Sequence, residues 1–296
     1  MKYTVFGAGS VGTVLAGLLA DRGVPVAIAG RGAVERLRLE GDDETVEARV
    51  PVVAEPEGTI LLCVHGPDVA DLCPRWPGRT VVTFQNGVKS ESTAARWCLV
   101  IGGVWRMTCT LMEPGRALFT RRGRVIVGRH PEGVDDEVVA LAADLRRAGF
   151  DVGVSPRIAG DKWLKLFLNL ASTAHALVRR EDHGRPEFGR LKAAILEEAK
   201  GVFARAGIVA ASGDGRDAAL DEEIERHRRG GGRARPVYNS TWRLLSRGRP
   251  PKERYHDTIT ALGHAPRNAA MLALLDRAKG PECYTVDEVF SEVCGT

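Results

Sequence analysis

The apolar positions of this chain follow two different patterns. In its first part they come as short continuous runs: Tyr3 to Phe6, Pro25 to Ala29, Thr59 to Val64, Arg79 to Phe84, Leu99 to Val104, Arg124 to Val127 and Phe150 to Val154. Runs of that length, rich in β-branched residues, predict strands covered on both faces, as in a parallel sheet. Between them lie stretches with helical intervals. Thr13 to Asp21 carries Val14, Leu15, Leu18 and Leu19 on one side, and Ala33 to Leu39, Asp68 to Cys73 and Val134 to Ala148 read as further helices. Glu40 to Glu47 is polar and reads as an edge excursion, and Pro114-Gly115 marks a turn. From Ile158 onward the strand pattern disappears, leaving helices with a glycine-rich interruption at Gly230 to Gly232. Alternating strands and helices followed by helices alone predict an α/β domain, residues 1–156, and an all-helical domain, residues 157–296, joined near Ser155-Pro156.

The junction between the first strand and the first helix carries the most specific pattern, Gly7-Ala8-Gly9-Ser10-Val11-Gly12, three glycines spaced G-x-G-x-x-G. Gly7 suits a tight turn, Gly9 a close backbone approach by a pyrophosphate, and Gly12 a close contact of helix with sheet. The helix N-terminus adds unclaimed N–H groups for the anion. Alone the motif is weak; here strand, turn, helix and second strand follow in order within about 30 residues. The expected architecture is a doubly wound parallel sheet of Rossmann type. In such sheets an acidic residue about 20 positions past the glycines binds the ribose 2′-hydroxyl of NAD, whereas an arginine accommodates the 2′-phosphate of NADP. The second strand ends in Gly30-Arg31-Gly32, with no carboxylate before Glu35, so Arg31 predicts NADP. Ligands bind outside the carboxyl ends of the strands, which places His65 and Asn86, at the ends of the third and fourth runs, toward the cofactor.

Composition narrows the setting. At 296 residues, 44% hydrophobic and 27% charged, the chain suits two globular domains. Its net charge of +4 comes from interspersed signs and gives no stripe for nucleic acid. The densest basic run, Arg226-His227-Arg228-Arg229, reads as a solvated loop, with a phosphate patch as the alternative. The six cysteines form no C-x-x-C pair and have no histidine at metal-ligand spacing, so neither zinc nor a disulfide framework is expected. The N-terminus enters a strand directly, and no apolar run reaches the roughly 18 residues of a membrane span; a cytoplasmic protein without a membrane partner is expected.

The helical part opens with Asp161-Lys162-Trp163-Leu164-Lys165-Leu166-Phe167-Leu168-Asn169-Leu170-Ala171-Ser172-Thr173. Residues 165, 169 and 173 share one helix face and read Lys, Asn, Thr. Leucines and a phenylalanine surround them, so the helix is expected to be buried nearly all round. A buried lysine costs several kcal/mol unless something uses it, which singles out Lys165. Lys162, on a different part of the surface, is expected to be a solvated or capping residue.

Together these residues resemble the ketopantoate reductase family (2-dehydropantoate 2-reductases). The resemblance is carried in order by Gly7-x-Gly9-x-x-Gly12, Arg31, Gln85-Asn86-Gly87, Pro114-Gly115, Trp163-x-Lys165-Leu166-x-x-Asn169, and Ser240 with Arg249-Pro250-Pro251-Lys252-Glu253. It implies an NADPH-dependent reduction of a small 2-keto acid to the 2-hydroxy acid, in a cleft between a Rossmann domain and a helical domain. By the same resemblance Lys165 is the general acid, Asn86 contacts cofactor and substrate, and Asn169 and Ser240 hold the substrate. Glu253 matches a carboxylate that closes the site, and Leu111 falls where the backbone meets the cofactor. The chain departs from the family at several points. His65 stands in place of a lysine, Thr173 and His183 in place of asparagines, Leu244-Leu245 in place of Gln-Asp, and the segment after Glu253 is shorter. Substrate positions thus differ more than cofactor positions. Two further readings are an NADP(H)-binding sensor without turnover and a reductase of another carbonyl or imine. The C-terminal helices Asn268 to Leu275 and Val286 to Val293 either close the core or make a homodimer contact.

Overall fold

The computed structural model describes residues 2–120, 123–230, 239–250 and 254–295. The chain divides into two units, Met1–Lys162 and Trp163–Thr296.

The first unit is built on a seven-stranded sheet. In chain order its strands are β1 (Tyr3–Phe6), β2 (Val26–Ala29), β5 (Thr59–Leu62), β6 (Thr80–Thr83), β7 (Leu99–Trp105), β10 (Val125–Arg129) and β11 (Val152–Val154), arranged β11-β10-β7-β6-β5-β1-β2. Strands β2, β1, β5, β6 and β7 are mutually parallel; β10 runs antiparallel to β7 and parallel to β11. The continuous apolar runs are buried on both faces, with Val5, Ile28, Ile60, Leu61, Leu62, Val81 and Val82 at 0% exposure. Helices α1 (Ser10–Asp21), α2 (Val69–Leu72), α3 (Ser90–Ala94) and α4 (Asp136–Arg147) complete the layer. Helix α4 is capped by the Asp135 side chain, which accepts from the Val138 N–H at 3.0 Å, with Arg146 and Arg147 in its last turn.

A second sheet, of four strands in the order β4 (Thr45–Arg49), β3 (Arg36–Glu40), β9 (Arg116–Phe119) and β8 (Cys109–Glu113), was not expected. Ala33 to Leu39 is not a helix: Arg36–Glu40 is strand β3, with Leu37 and Leu39 buried and Arg36 and Arg38 exposed. That alternation is the two-residue period of a half-covered strand. Strand β4 (Thr45–Arg49) starts inside the supposed excursion, at its last three residues, and pairs antiparallel with β3. The Pro114-Gly115 turn joins β8 (Cys109–Glu113) to β9 (Arg116–Phe119). Helix α1 packs on these strands as well as on β1 and β2. Its approach to β3 is close enough that a Cβ at Gly17 would lie 2.7 Å from Leu39 Cδ1.

Helix α5 (Ile158–Leu177) leads from the first unit into the second. The units divide between Lys162 and Trp163, past the expected Ser155-Pro156 join, because the first turn of α5 belongs to the sheet. Ile158 is buried with Val104 and Ile126, and the Ser155 hydroxyl donates to Asp161 Oδ2 at 2.5 Å. The second unit is helical: α6 (Pro186–Arg205), α7 (Leu220–Arg229), α8 (Ser240–Leu245), α9 (Tyr255–Leu262), α10 (Pro266–Arg277) and α11 (Val286–Cys294). Phe167, Phe188 and Phe203 are fully buried, and Trp163 meets Phe203 edge-on at 5.3 Å. Burial of each such side chain stabilises the unit by about 1.5–3 kcal/mol. Helix α11 starts in a capping box between Thr285 and Glu288. All six cysteines are free, and no helix among the described residues is long and apolar enough to cross a membrane.

Candidate active site

The glycine turn sits between the carboxyl end of β1 and the start of α1, and each glycine has a separate reason to be there. Gly7 adopts φ +114°, the left-handed region open to glycine, and a Cβ on it would lie 2.7 Å from the Cys63 carbonyl oxygen. At Gly12 a Cβ would fall 1.9 Å from the carbonyl oxygen of Gly7, so the helix could not start where it does with any other residue. Gly9 differs: a Cβ there would meet nothing nearer than Cys63 O at 4.0 Å. Among the described residues no atom crowds the exposed face of Gly9, the space a close-approaching ligand would take. Gly9 is also the N-cap of α1 and offers no side chain to the first-turn N–H groups of Ser10, Val11 and Gly12, and that turn holds no acidic residue. A helix start with unclaimed donors and a partial positive charge is suited to a phosphate. Ala8 is buried and Val11 half-buried. The residues fit the diphosphate of a dinucleotide.

The neighbouring strand ends assemble around this turn. Gly7 N–H donates to Ala29 O at the end of β2, and Cys63 N–H to Phe6 O at the end of β1. Just beyond Ala29, Arg31 is exposed, and among the described residues no carboxylate pairs with it. His65, past the end of β5, is also exposed and precedes a short 3-10 turn. Leu111 lies on β8 opposite Ala117, half-buried, at a register shift that runs to Glu113. Asn86 is half-buried beyond the end of β6. The parallel strand order puts Gly7, Arg31, His65 and Asn86 along one edge of the sheet.

Directly behind Asn86 lies a group that the sequence reading misplaced. Lys162 is not solvated: its side chain is 3% exposed, and its ammonium pairs with Glu91 Oε1 at 2.7 Å, where Glu91 is 1% exposed. The same ammonium donates to Gln85 O at 2.5 Å and to Gly103 O at 3.5 Å. Thr83 Oγ1 donates to the same carboxylate oxygen at 2.7 Å. The missed signal was the row Ile158, Lys162, Leu166, spaced by four, whose other two members are apolar and buried. A lysine on an apolar row of a helix should have been read as paired inside.

On the part of α5 within the second unit, the expected polar face is present but unevenly buried. Lys165 and Asn169 are half-buried and Thr173 is 2% exposed, while Leu164, Leu166, Phe167 and Leu170 are buried. Burial nearly all round is therefore corrected: Leu168 and Ser172 also lie only part-covered beside that face. Ser240 starts α8 and is exposed. Its neighbour Asn239, missed in the sequence, caps α8 by accepting from Trp242 N–H at 2.8 Å and donates to Ser172 O at 2.7 Å. Asn239 thus ties the start of α8 to the stretch of α5 between Asn169 and Thr173. His183 bonds Val178 O at 3.0 Å and stacks on Phe188 at 4.5 Å, a packed position. Leu245 is buried and Leu244 half-buried. Glu253 lies outside the described residues, and among those described no three His, Cys, Asp or Glu side chains are grouped to hold a metal.

A mostly parallel sheet with an open glycine turn at its carboxyl edge defines the first unit as a fold of Rossmann type. Residues 3–132 match the family described as ketopantoate reductase PanE/ApbA. A 2-dehydropantoate 2-reductase of Pyrococcus horikoshii is 27% identical over 191 residues, 58% of this chain and 62% of the relative, so the chain spans less than two thirds of that relative's length. By fold the likeness is longer. A 2-dehydropantoate 2-reductase of Geobacter metallireducens superposes with a TM-score of 0.77 at 21% identity, covering 94% of this chain and all of that one (100%). A D-mandelate dehydrogenase in complex with NADH gives 0.75 at 19% identity, covering 94% and 99%. Over residues 3–132 the chain is thus similar to the ketopantoate reductases, and over most of its length it shares their fold.

Proposed function

We propose that this protein is an NADPH-dependent reductase of a small 2-keto acid, ketopantoate or a close analogue, with Lys165 as its proton donor. The observation that carries the reading is the space over Gly9, enclosed by a turn in which Gly7 and Gly12 are sterically required. It joins a sequence related to ketopantoate reductases.

When bound, the reduced nicotinamide supplies a hydride to the carbonyl carbon. The remaining work falls to the chain. The first-turn N–H groups of α1 hold the diphosphate, and the Arg31 guanidinium takes the 2′-phosphate as a charge-assisted fork. Asn86 orients the nicotinamide end and the keto acid. Negative charge develops on the carbonyl oxygen as the carbon is reduced; the Lys165 ammonium stabilises it and transfers its proton to that oxygen, leaving a hydroxyl and a neutral amine. Asn169, Thr173 and Ser240 hold the acid, with Glu253 closing the site. The 2-hydroxy acid is the product.

A second reading is favoured by the D-mandelate dehydrogenase fold with its bound NADH: a different 2-keto acid, reduced with NADH. One experiment separates the two. Ketopantoate and phenylglyoxylate are offered with NADPH and with NADH, to wild type and to Lys165→Ala. Ketopantoate turnover with NADPH that collapses in the variant supports the proposal. Preference for phenylglyoxylate with NADH supports the second reading, and NADPH binding without oxidation by either acid sinks both in favour of a sensor.

A further inference from the structure

The strand that presents Asn86 leaves its sheet before it reaches that residue. Ladder pairing of β6 ends at Thr83, opposite Leu62 on one side and Gly102 on the other. Phe84, Gln85 and Asn86 project beyond it, and the chain then turns at Gly87, φ +83°. Side chains take over where the ladder stops. The Gln85 side chain donates to Leu62 O at 2.8 Å and Val64 O at 3.1 Å, holding it to the end of β5. From the other side, Lys162 grips the Gln85 carbonyl at 2.5 Å while pairing with Glu91. Three donors of one ammonium meet three acceptors, on α3, on the segment past β6 and on β7.

Stability does not explain this arrangement. Burying two charges costs several kcal/mol each, and a well-packed apolar pair is commonly as stable or more so. What an apolar pair cannot do is hold one carbonyl oxygen at a fixed point. We propose that the buried Lys162–Glu91 pair positions the Gln85-Asn86 peptide, and through Asn86 the nicotinamide end of the bound cofactor. The inference rests on the cofactor reading above. It makes Lys162 and Glu91 positioning residues for the reaction rather than participants in it, and gives the two lysines of α5 separate tasks.

The test compares Lys162→Met, Glu91→Gln and the double variant Lys162→Met/Glu91→Leu. Each is assayed for affinity toward NADPH and toward 2′,5′-ADP, which has the adenosine and 2′-phosphate but no nicotinamide, together with the melting midpoint and kcat on ketopantoate. The single variants leave a charge or a polar group buried and melt lower; the double variant recovers the midpoint. All three keep 2′,5′-ADP affinity within about twofold and lose roughly tenfold in NADPH affinity, a tenfold step being about 1.4 kcal/mol. Turnover falls and does not return with the melting midpoint. Asn86→Ala gives a similar loss, and adding it to Lys162→Met costs little more, because the two act through one contact.

A double variant with recovered stability and wild-type NADPH affinity overturns the proposal, since the pair is then structural only. Equal loss of NADPH and 2′,5′-ADP overturns it too, by showing that the whole site is disturbed. The affinity comparison needs no turnover: a wild type that binds NADPH but reduces no keto acid sinks the reductase reading and leaves this inference to be decided by binding. A wild type that binds no NADPH sinks both.

Discussion

The two units offer their polar groups in different ways. In Met1–Lys162 the candidate cofactor surface is mostly backbone: first-turn N–H groups of α1, strand ends aligned by the parallel ladder, and glycines that clear space. In Trp163–Thr296 it is side chains on helix faces: Lys165, Asn169 and Thr173 along α5, and Ser240 at the start of α8. A backbone site is fixed by fold and glycine spacing, and tolerates substitution of most residues around it. A side-chain site depends on each residue separately. By the resemblance, this chain departs from the ketopantoate reductase pattern at His65 in the first unit and at Thr173, His183 and Leu244-Leu245 in the second.

The largest effect that sharpens this contrast is Lys165→Ala. Loss of the proposed proton donor is expected to lower kcat by about 10²–10⁴-fold, the usual range for general acid catalysis, while NADPH affinity by fluorescence titration stays near wild type. A variant retaining most of its turnover would remove Lys165 from the chemistry. The converse substitution lies in the backbone site. Gly12→Ala sets a Cβ on top of the Gly7 carbonyl, and one of the two segments must move. NADPH affinity is expected to fall by about 10–100-fold, or roughly 1.4–2.8 kcal/mol. Wild-type binding in Gly12→Ala would show that the turn is not the anion site.

How much of this was legible in the sequence follows from the same division. The parallel strands and the glycine turn could be read because both are set by local rules: continuous apolar runs for covered strands, and close backbone approach for glycine. The four-stranded sheet could not. Leu37 and Leu39, flanked by Arg36, Arg38 and Glu40, form too short a pattern to separate period two from a helix face, and β3 finds its partners in β4 and in the distant β9. The tertiary pairing decided what the local pattern left open. Lys162 was misread for a related reason. Its acidic partner, Glu91, is remote in sequence, and only the fold brings α3 to the first turns of α5. The stripe of Lys165, Asn169 and Thr173 was legible as a helix face, but its burial depends on neighbours that no single helix specifies.

A smaller effect compares two buried ionisable sites, one in each unit. The first keeps Lys162 and Glu91 inside as a bonded pair. In the second, burial lowers the pKa of His256 and His175. His256 has 0% exposure, and burial lowers its pKa to about 4 despite a 2.7 Å bond from Nδ1 to Asn268 Oδ1; nearby Asp257 and Glu198 act the other way. Asn268 is oriented by its own bond to Glu198, so Nδ1 is the donor and His256 the Nδ1–H tautomer. His175 is brought to about 3, first by burial and then by Lys192. A histidine whose folded pKa lies below its unfolded value of 6.5 contributes in full above pH 6.5 and loses that contribution as pH falls toward the folded value. Between pH 6.5 and 4 the unfolded chain binds more protons, and His256 alone removes up to about 3 kcal/mol. Hydrogen exchange at pH 7 and pH 4.5 is expected to show α9 and α10 losing protection before β1, β5 and β6. Simultaneous loss in both units would erase the contrast.

The smallest expected effect tests the one side chain on which the backbone site depends. Arg31 stands exposed beyond β2, with no carboxylate partner among the described residues, and no acidic residue lies between the end of β2 and Glu35 to take a ribose 2′-hydroxyl. If it holds the 2′-phosphate, its contribution is that of an exposed charge-assisted contact, about 1.5–3 kcal/mol before screening by salt. Arg31→Ala is then expected to weaken NADPH by roughly 10-fold at low ionic strength, less at high salt, and to leave NADH unchanged. Because the phosphate is the only difference between the two cofactors, the ratio of their affinities cancels every effect on the glycine turn. A ratio that does not move on substitution means that discrimination lies elsewhere on the sheet edge, with His65 the next candidate along it.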